Sequence, residues 1–576
     1  VSDEARDWPL RAASLALAGA GVGLAVHFLV TGDGPSQPVT EAWRLALAAL
    51  LTTAGLAVAF VLERQGHRLT ASFAGAAGLI VGSVVYWNGP SSGWDAGEGW
   101  RLTCALLTVA IAAPLFQAWR DAGAARTIPY VAAHDRAWTN VVLWFAAMVF
   151  TGITWLLAML LGELFALIGV RFIEELLRKD WFAAVLTGGA FGGAIGLLRD
   201  RERVLGTLQR VVTTVLSVLA PALAVGLLAF LIALPFTGLS PLWAATRSTT
   251  PILIGCVIGA LILANAVLGD RPEHEARRGV LRWSAMGLGL ALLPLGVIAA
   301  ISTGLRIAQY GLTPERLWAV VFTGIACAYC LAYLVALVRA RGGWGEPVRA
   351  ANLRLGLALC VLAFILSTPL LSFNQISTRD QLARLADGRT PPAKFDWAAL
   401  RFDFGEAGKA AVARLAREGS TSAIRIAASE TLKSDNRYAA REDAEARERA
   451  DTLDARIRIL PKSVPLPAWL RTSIARKSGC ELKRPCGVLF TSGATEAFIV
   501  SSDQWGEEVQ RVDPSSNDKS TPIPKITEDT IKKRRADEAR RQAVLRAAIE
   551  RGDVEVRTVQ RRQVFINGEP VGSTFE

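Results

Sequence analysis

Few residues in this chain have a type and spacing that suggest chemistry, and most of those lie beside long apolar runs. Glu163, Glu174 and Glu175 fall in GELFALIGVRFIEELLRK, where carboxylates at a lipid boundary could serve as general acids or bases. Cys327 and Cys330 form a C-x-x-C pair flanked by Ala326, Ala328 and Tyr329. Thioredoxin-type redox chemistry needs a different setting, so packing of small residues against a neighbouring helix is the better account. His27 and Asn265 also sit within apolar runs, where headgroup contact and an interhelical hydrogen bond are the ordinary explanations. No nucleophile elbow, phosphate loop, HExxH or dinucleotide fingerprint occurs, and no histidine follows Phe373. The sequence leaves open whether the protein is an enzyme.

The elements that must position these groups are membrane helices. Hydrophobic residues make up 52% of the chain, charged residues 20%, and mean hydropathy is +0.33. A helix needs roughly 20 apolar residues to cross a ~30 Å hydrocarbon layer. Runs of about that length cover 10–30, 41–62, 69–87, 100–119, 138–162, 181–198, 208–234, 250–268, 281–302, 315–339 and 353–371. The expected fold is an all-α polytopic membrane bundle of about eleven transmembrane helices (1–372) with a C-terminal α+β soluble domain (373–576). The first run serves as the insertion signal, with no cleaved signal peptide expected. The net charge of +12 is not gathered into one patch, so a nucleic-acid partner is not expected and the lipid bilayer is.

Sidedness follows from the basic residues. The N-terminus and every second loop carry Arg6, Arg64, Arg68, Arg120, Arg126, Arg136, Arg199, Arg201, Arg203, Arg271, Arg277, Arg278, Arg341 and Arg349. The opposite loops carry Arg171, Arg178, Lys179, Arg247 and Arg306, the last placed to snorkel. By the positive-inside rule the N-terminus is cytoplasmic, and an odd number of spans exports the tail. Segment 163–180 fits either an interfacial amphipathic helix, with Glu163 capping its start, or an extension of the fifth span. Glycines at 188, 189, 192, 193 and 196, and again at 255 and 259, predict close helix contacts. Pro221, Pro294 and Pro369 are expected kinks. In Tyr310-Gly311-Leu312-Thr313-Pro314-Glu315-Arg316, Gly311 suits a left-handed helix end, Thr313 an N-cap and Pro314 the first helical position.

In the tail, Ser377 predicts an N-cap for a helix ending near Gly388, followed by a turn and a helix ending at Gly419. Further helices are expected at 422–432, 438–453 and 527–551. Strands are expected at 487–490, 496–501, 554–559 and 562–566 with a turn at Asn567-Gly568, and a polar linker at 513–525. Cys480 and Cys486 flank ELKRP and would close a disulfide if exported; too few Cys and His accompany them for zinc.

YGLTPERLW, PFTGLSPLW, ISTRDQLARLADG and KFDWAALRFDFGEAGKAAVARLA resemble a bacterial polytopic membrane protein family catalogued as domain of unknown function 4153. The resemblance implies a bacterial inner-membrane protein with no established activity, in which the tail exported by an odd span count would be periplasmic, and it marks Tyr310, Gly311, Thr313, Pro314 and Arg316 as family-motif positions. Glu163 joins them as a candidate functional carboxylate. Relatives are expected to carry an acidic loop after the second tail cysteine. Here GVLFTSGATEAFIV holds one acid, Glu496, so no metal is expected, nor any cofactor. The leading reading is a non-enzymatic envelope scaffold or binding protein whose exported C-terminal domain engages an envelope protein partner; the alternatives, in order, are a transporter or lipid-handling protein and an enzyme at the outer interface.

Overall fold

The computed structural model describes residues 10–31, 41–63, 66–89, 94, 96–124, 127–238, 249–275, 279–340, 343–442, 453–460, 465–476, 486–490, 496–503, 506–512, 562–566 and 569–575. By chain contacts it divides into two compact units, Val1–Thr390 with Asp403–Ala411, and Pro391–Phe402 with Val412–Glu576.

In lipid a segment must satisfy its own backbone N–H and C=O groups, which a helix does along its whole length. Among the described residues, 11 helices are long and apolar enough to cross a membrane. They are α1 (Arg11–Val30), α2 (Ala42–Val61), α3 (His67–Asn88), α4 (Ala96–Asp121), α5 (Tyr130–Leu167), α7 (Asp180–Arg199), α8 (Glu202–Thr237), α9 (Thr249–Leu268), α10 (Gly279–Tyr310), α11 (Pro314–Ala340) and α12 (Gly345–Ser367). Each coincides with a predicted run, and α5, α8 and α10 extend well beyond theirs. The segment after the fifth span combines both readings. Helix α5 continues to Leu167, Gly169 turns the chain at φ 85°, and a short helix α6 (Phe172–Leu177) follows. Glu163 therefore lies on the last turn of α5 and does not cap α6, whose N-cap is Arg171.

Small residues decide which helices touch. A Cβ on Gly188 of α7 would lie 2.8 Å from the Gly19 carbonyl carbon of α1; Gly192 meets Leu15, and Gly196 meets Ala12, in the same way. This is the close contact that the glycine spacing predicts. The matching expectation in α9 fails, because Gly255 has no atom within 4 Å of a built Cβ and Gly259 meets the Leu223 side chain at 3.7 Å. Gly255 occupies an open position and Gly259 would make only an ordinary side-chain contact, so spacing alone overstated their role. Pro221 and Pro294 lie inside α8 and α10. Pro369 falls after the end of α12 and bends no helix.

Around α10, fully buried Leu288, Leu292 and Leu295 form a core with Leu227, Val257, Cys330 and Tyr333 from α8, α9 and α11. The Sγ atoms of Cys327 and Cys330 lie against Gly296 of α10, which is the packing role expected of them. The C-terminal end of α2 is closed by side chains from its neighbours. Its last carbonyls would lack intrahelical donors; Arg199 donates to Ala59 O (2.8 Å), Gln117 to Phe60 O (2.8 Å) and Arg120 to Val61 O (2.6 Å). Glu63 then pairs with Arg199 at 2.5 Å and Arg11 at 3.4 Å.

After α12, Ser372 caps α13 (Phe373–Ala386), accepting from the Gln375 N–H. Ser377, the predicted cap, is instead fully buried within this helix. Two serine or threonine positions precede the same apolar pattern, and the earlier one takes the cap.

The second unit contains α14 (Trp397–Phe402), the later part of α15 (Gly405–Glu418), and α16 (Ser422–Lys433), whose cap is Thr421. Arg401 joins α14 to α16 by donating to Thr431 O. Further on stand α17 (Leu453–Arg456), α18 (Ala468–Arg476) and a four-stranded mixed sheet of β1 (Ile457–Leu460), β2 (Cys486–Leu489), β3 (Ala497–Asp503) and β4 (Gly506–Val512). Strand β1 runs parallel to β2 with Ile457 opposite Cys486, and β2, β3 and β4 are antiparallel in sequence order. Ile457, Leu470, Ile474, Val488, Ala497 and Val512 form its core. A separate hairpin joins β5 (Arg562–Ile566) and β6 (Glu569–Phe575). The expected elements at 513–525, 527–551 and 554–559, the Asn567-Gly568 turn and residues 443–452 lie outside the described residues.

Candidate functional site

One cavity of about 790 Å³ lies within the helical unit, between α2, α4 and α5 on one side and α9, α11 and α12 on the other. That size is within the ~300–1,000 Å³ range of small-molecule sites. Its wall is mostly apolar, from Leu56, Phe60, Val109, Ile111, Trp144 and Leu353 among others. Leu106, Val141, Phe145 and Ile262 also line it and are exposed, so the cavity opens on a flank that faces lipid if these helices span the membrane.

Polar groups gather where α5 begins and α12 starts. Tyr130, His134 and Trp138 line the cavity at i, i+4 and i+8, the spacing that puts three side chains on one helix face. Trp138 donates its indole N–H to His134 Nε2 at 3.2 Å, which leaves the proton of a neutral imidazole on Nδ1. Facing them is a closed ring. Tyr333 donates to Asn352 Oδ1 (3.2 Å), Asn352 to Asn265 Oδ1 (2.7 Å), and Asn265 to the Tyr333 hydroxyl (2.6 Å). Each hydroxyl or amide orients the next, and the ring ties α9, α11 and α12 together without a charge. Asn265 thus bonds neighbouring helices as expected. On the α5 side Asn140 donates to Gln117 Oε1 at 2.9 Å, and Gln117 holds the end of α2.

The charges nearby are already committed. Arg349 donates to Leu268 O at 2.8 Å, closing the end of α9, and pairs with Glu275 at 2.7 Å. Arg120 and Arg199 are engaged at the end of α2. None of the described lining residues is Asp, Glu, Lys or Arg.

The residues expected as family-motif positions assemble elsewhere. Gly311 has φ 77°, and Thr313 Oγ1 accepts from the Arg316 N–H at 3.3 Å, the turn and cap that the sequence predicts. Arg316 donates to Gly311 O at 2.7 Å and its guanidinium lies 5.3 Å from the Tyr310 ring centre. Asp380 of α13 accepts the Leu312 N–H at 2.7 Å, Gln381 donates to Tyr310 O and Leu312 O, and Arg384 pairs with Asp380 at 3.1 Å. Two motifs far apart in sequence, YGLTPERLW and STRDQLARL, therefore form one clasp. Arg384 also donates to Ile307 O at 3.1 Å, tying the clasp to α10, and the clasp does not line the cavity. Glu163 is exposed at the end of α5, Glu174 pairs with Arg178 at 2.5 Å on α6, and neither lines the cavity. Among the described residues no group of three metal-ligating side chains occurs. Cys486 is buried at the start of β2, while Cys480 lies outside the described residues.

Sequence reasoning missed Tyr130 and His134 because they precede the apolar run at 138–162. The i, i+4, i+8 spacing of Tyr, His and Trp was the available signal. A family model described as Domain of unknown function (DUF4153) matches residues 50–415, which takes in the cavity and the clasp. No curated protein and no solved structure matches the chain.

Proposed function

The chain belongs to this family of unknown function, and on that premise we propose that it is a lipid-handling membrane protein that takes an amphiphile into its intrahelical cavity. The observation that carries this reading is an apolar space of about 790 Å³ with exposed apolar rim residues and one polar end. Such a shape suits a chain lying along the wall with its head at Tyr130, His134 and Asn352. A bundle of 11 candidate spans is also larger than an anchor needs. The basic-residue bias supports a cytoplasmic N-terminus, and with an odd number of spans an exported tail.

Native mass spectrometry of protein extracted with its own lipids tests the reading. A bound amphiphile should survive detergent exchange, and Ala137→Trp, which places a large side chain on the cavity wall, should release it. Retention of nothing by the parent protein, or equal retention by the variant, would overturn it. A scaffold role is the second reading, favoured by the separately cored sheet of the tail; affinity capture with the full chain should then return a reproducible envelope partner.

A further inference from the structure

We infer that the cavity selects amphiphiles with an uncharged head bearing hydroxyl or amide groups, and disfavours phosphate and carboxylate heads. The inference rests on the lipid-handling reading and sharpens it to a substrate class.

The polar end supplies neutral groups. His134 has its Nε2 engaged by Trp138, leaving Nδ1–H as a donor if the ring is neutral. Tyr130 stands one turn earlier on the same face, and Asn352 faces it from α12. In the amide ring each oxygen accepts one bond and keeps a second lone pair, and Asn352 is also hydrogen-bonded to Tyr130. A hydroxyl can donate and accept, so it matches this mixed set, whereas a phosphate or carboxylate only accepts.

An anionic head would also need a counter-charge in a low-dielectric space. The described lining offers none. On the α12 side Arg349, whose charge is felt at Tyr130 and His134, is bound to Glu275 and to two carbonyls at the end of α9, Leu268 O and Gly269 O. Recruiting it would break that ion pair and uncap the helix. On the α2 side, Arg120 and Arg199 are held the same way. These carbonyl caps fix where positive charge sits, and none of the three arginines lines the cavity.

Photo-crosslinking with the full-length protein in detergent tests this. The probes are a monoacylglycerol and a lysophosphatidylglycerol, each with a diazirine in the same acyl chain; the competitors are the same two lipids without the diazirine. Saturable labelling should map to peptides of α4, α5 and α9, and monoacylglycerol should compete at least about tenfold better. Equal or better competition by lysophosphatidylglycerol would overturn the head-group assignment while leaving the cavity occupied. Absence of saturable labelling by either chain-diazirine lipid would overturn this inference and the lipid-handling reading together. Tyr130→Phe removes one hydroxyl and no volume to speak of. It should reduce the preference for monoacylglycerol over lysophosphatidylglycerol about three- to tenfold. An unchanged preference in both Tyr130→Phe and His134→Phe would also refute the assignment.

Discussion

Replacing Gly188 by alanine should destabilise the protein, while the same change at Gly255 should not. Both glycines are interior to membrane-spanning helices and both lie in G-x-x-x-G steps, so sequence alone treats them alike. A methyl carbon at Gly188 would come within 2.8 Å of the Gly19 carbonyl carbon, with the carbonyl oxygen nearer still. Carbon atoms rest at about 3.5–4.0 Å, so α1 and α7 would have to separate by roughly 1 Å. The same two helices also touch at Gly192 and Gly196, so separation at one step loosens the others. Overpacking of this kind costs about 1–3 kcal/mol. At Gly255 nothing lies within 4 Å, and alanine gains up to about 1 kcal/mol of helix propensity. The two variants should therefore differ by about 2–4 kcal/mol, with opposite signs relative to the parent. Thermal melting of a fluorescent fusion in detergent, followed by size-exclusion chromatography, measures the order. If Gly188→Ala melts at or above Gly255→Ala, the helix contact inferred from small residues is wrong.

Other perturbations follow from the same contacts. Tyr333→Phe deletes the hydroxyl that both donates to Asn352 and accepts from Asn265; the unsatisfied amides should lower stability by about 1–3 kcal/mol, and an unchanged melting temperature would mean the ring is not a fastening. Asp380→Asn should loosen the clasp by removing a charged partner of Arg384 and weakening the Leu312 bond, seen as faster limited proteolysis between α12 and α14; equal cleavage rates would count against it. If the tail is exported, a phosphatase fused after Glu576 should be active, and Cys480 and Cys486 should resist alkylation in cells until reduced. Immediate labelling with an inactive fusion would place the tail in the cytosol.

The spans were legible because burial in lipid imposes one rule on every residue of a run, and hydropathy reads it directly. The Gly311–Thr313–Pro314 turn was legible for a similar reason, since each residue type answers a local backbone requirement. Strand β4, GEEVQRV, was not, because its charged residues hide an alternation that only pairing with β3 reveals. Ser377 misled because a cap depends on where the helix starts, and Ser372 met that need first. The cavity had no linear signature at all. Its residues come from six helices, and Tyr130 and His134 stood just outside a predicted span. Arg120, Arg199 and Arg349 were readable as a charge bias, but their service as caps on other helices depends on tertiary placement.

The fit of α1 against α7 constrains the order in which the protein can be assembled. Synthesis delivers α1 ahead of α7, and among the described residues five other helices, counting α6, emerge before the one whose glycines match its small-residue face. Until then that narrow face must be occupied by lipid, by an insertion factor or by a wrong neighbour. A nascent chain arrested after α5 should therefore hold its first helix in an interchangeable position, and release of α7 should be the step that fixes it.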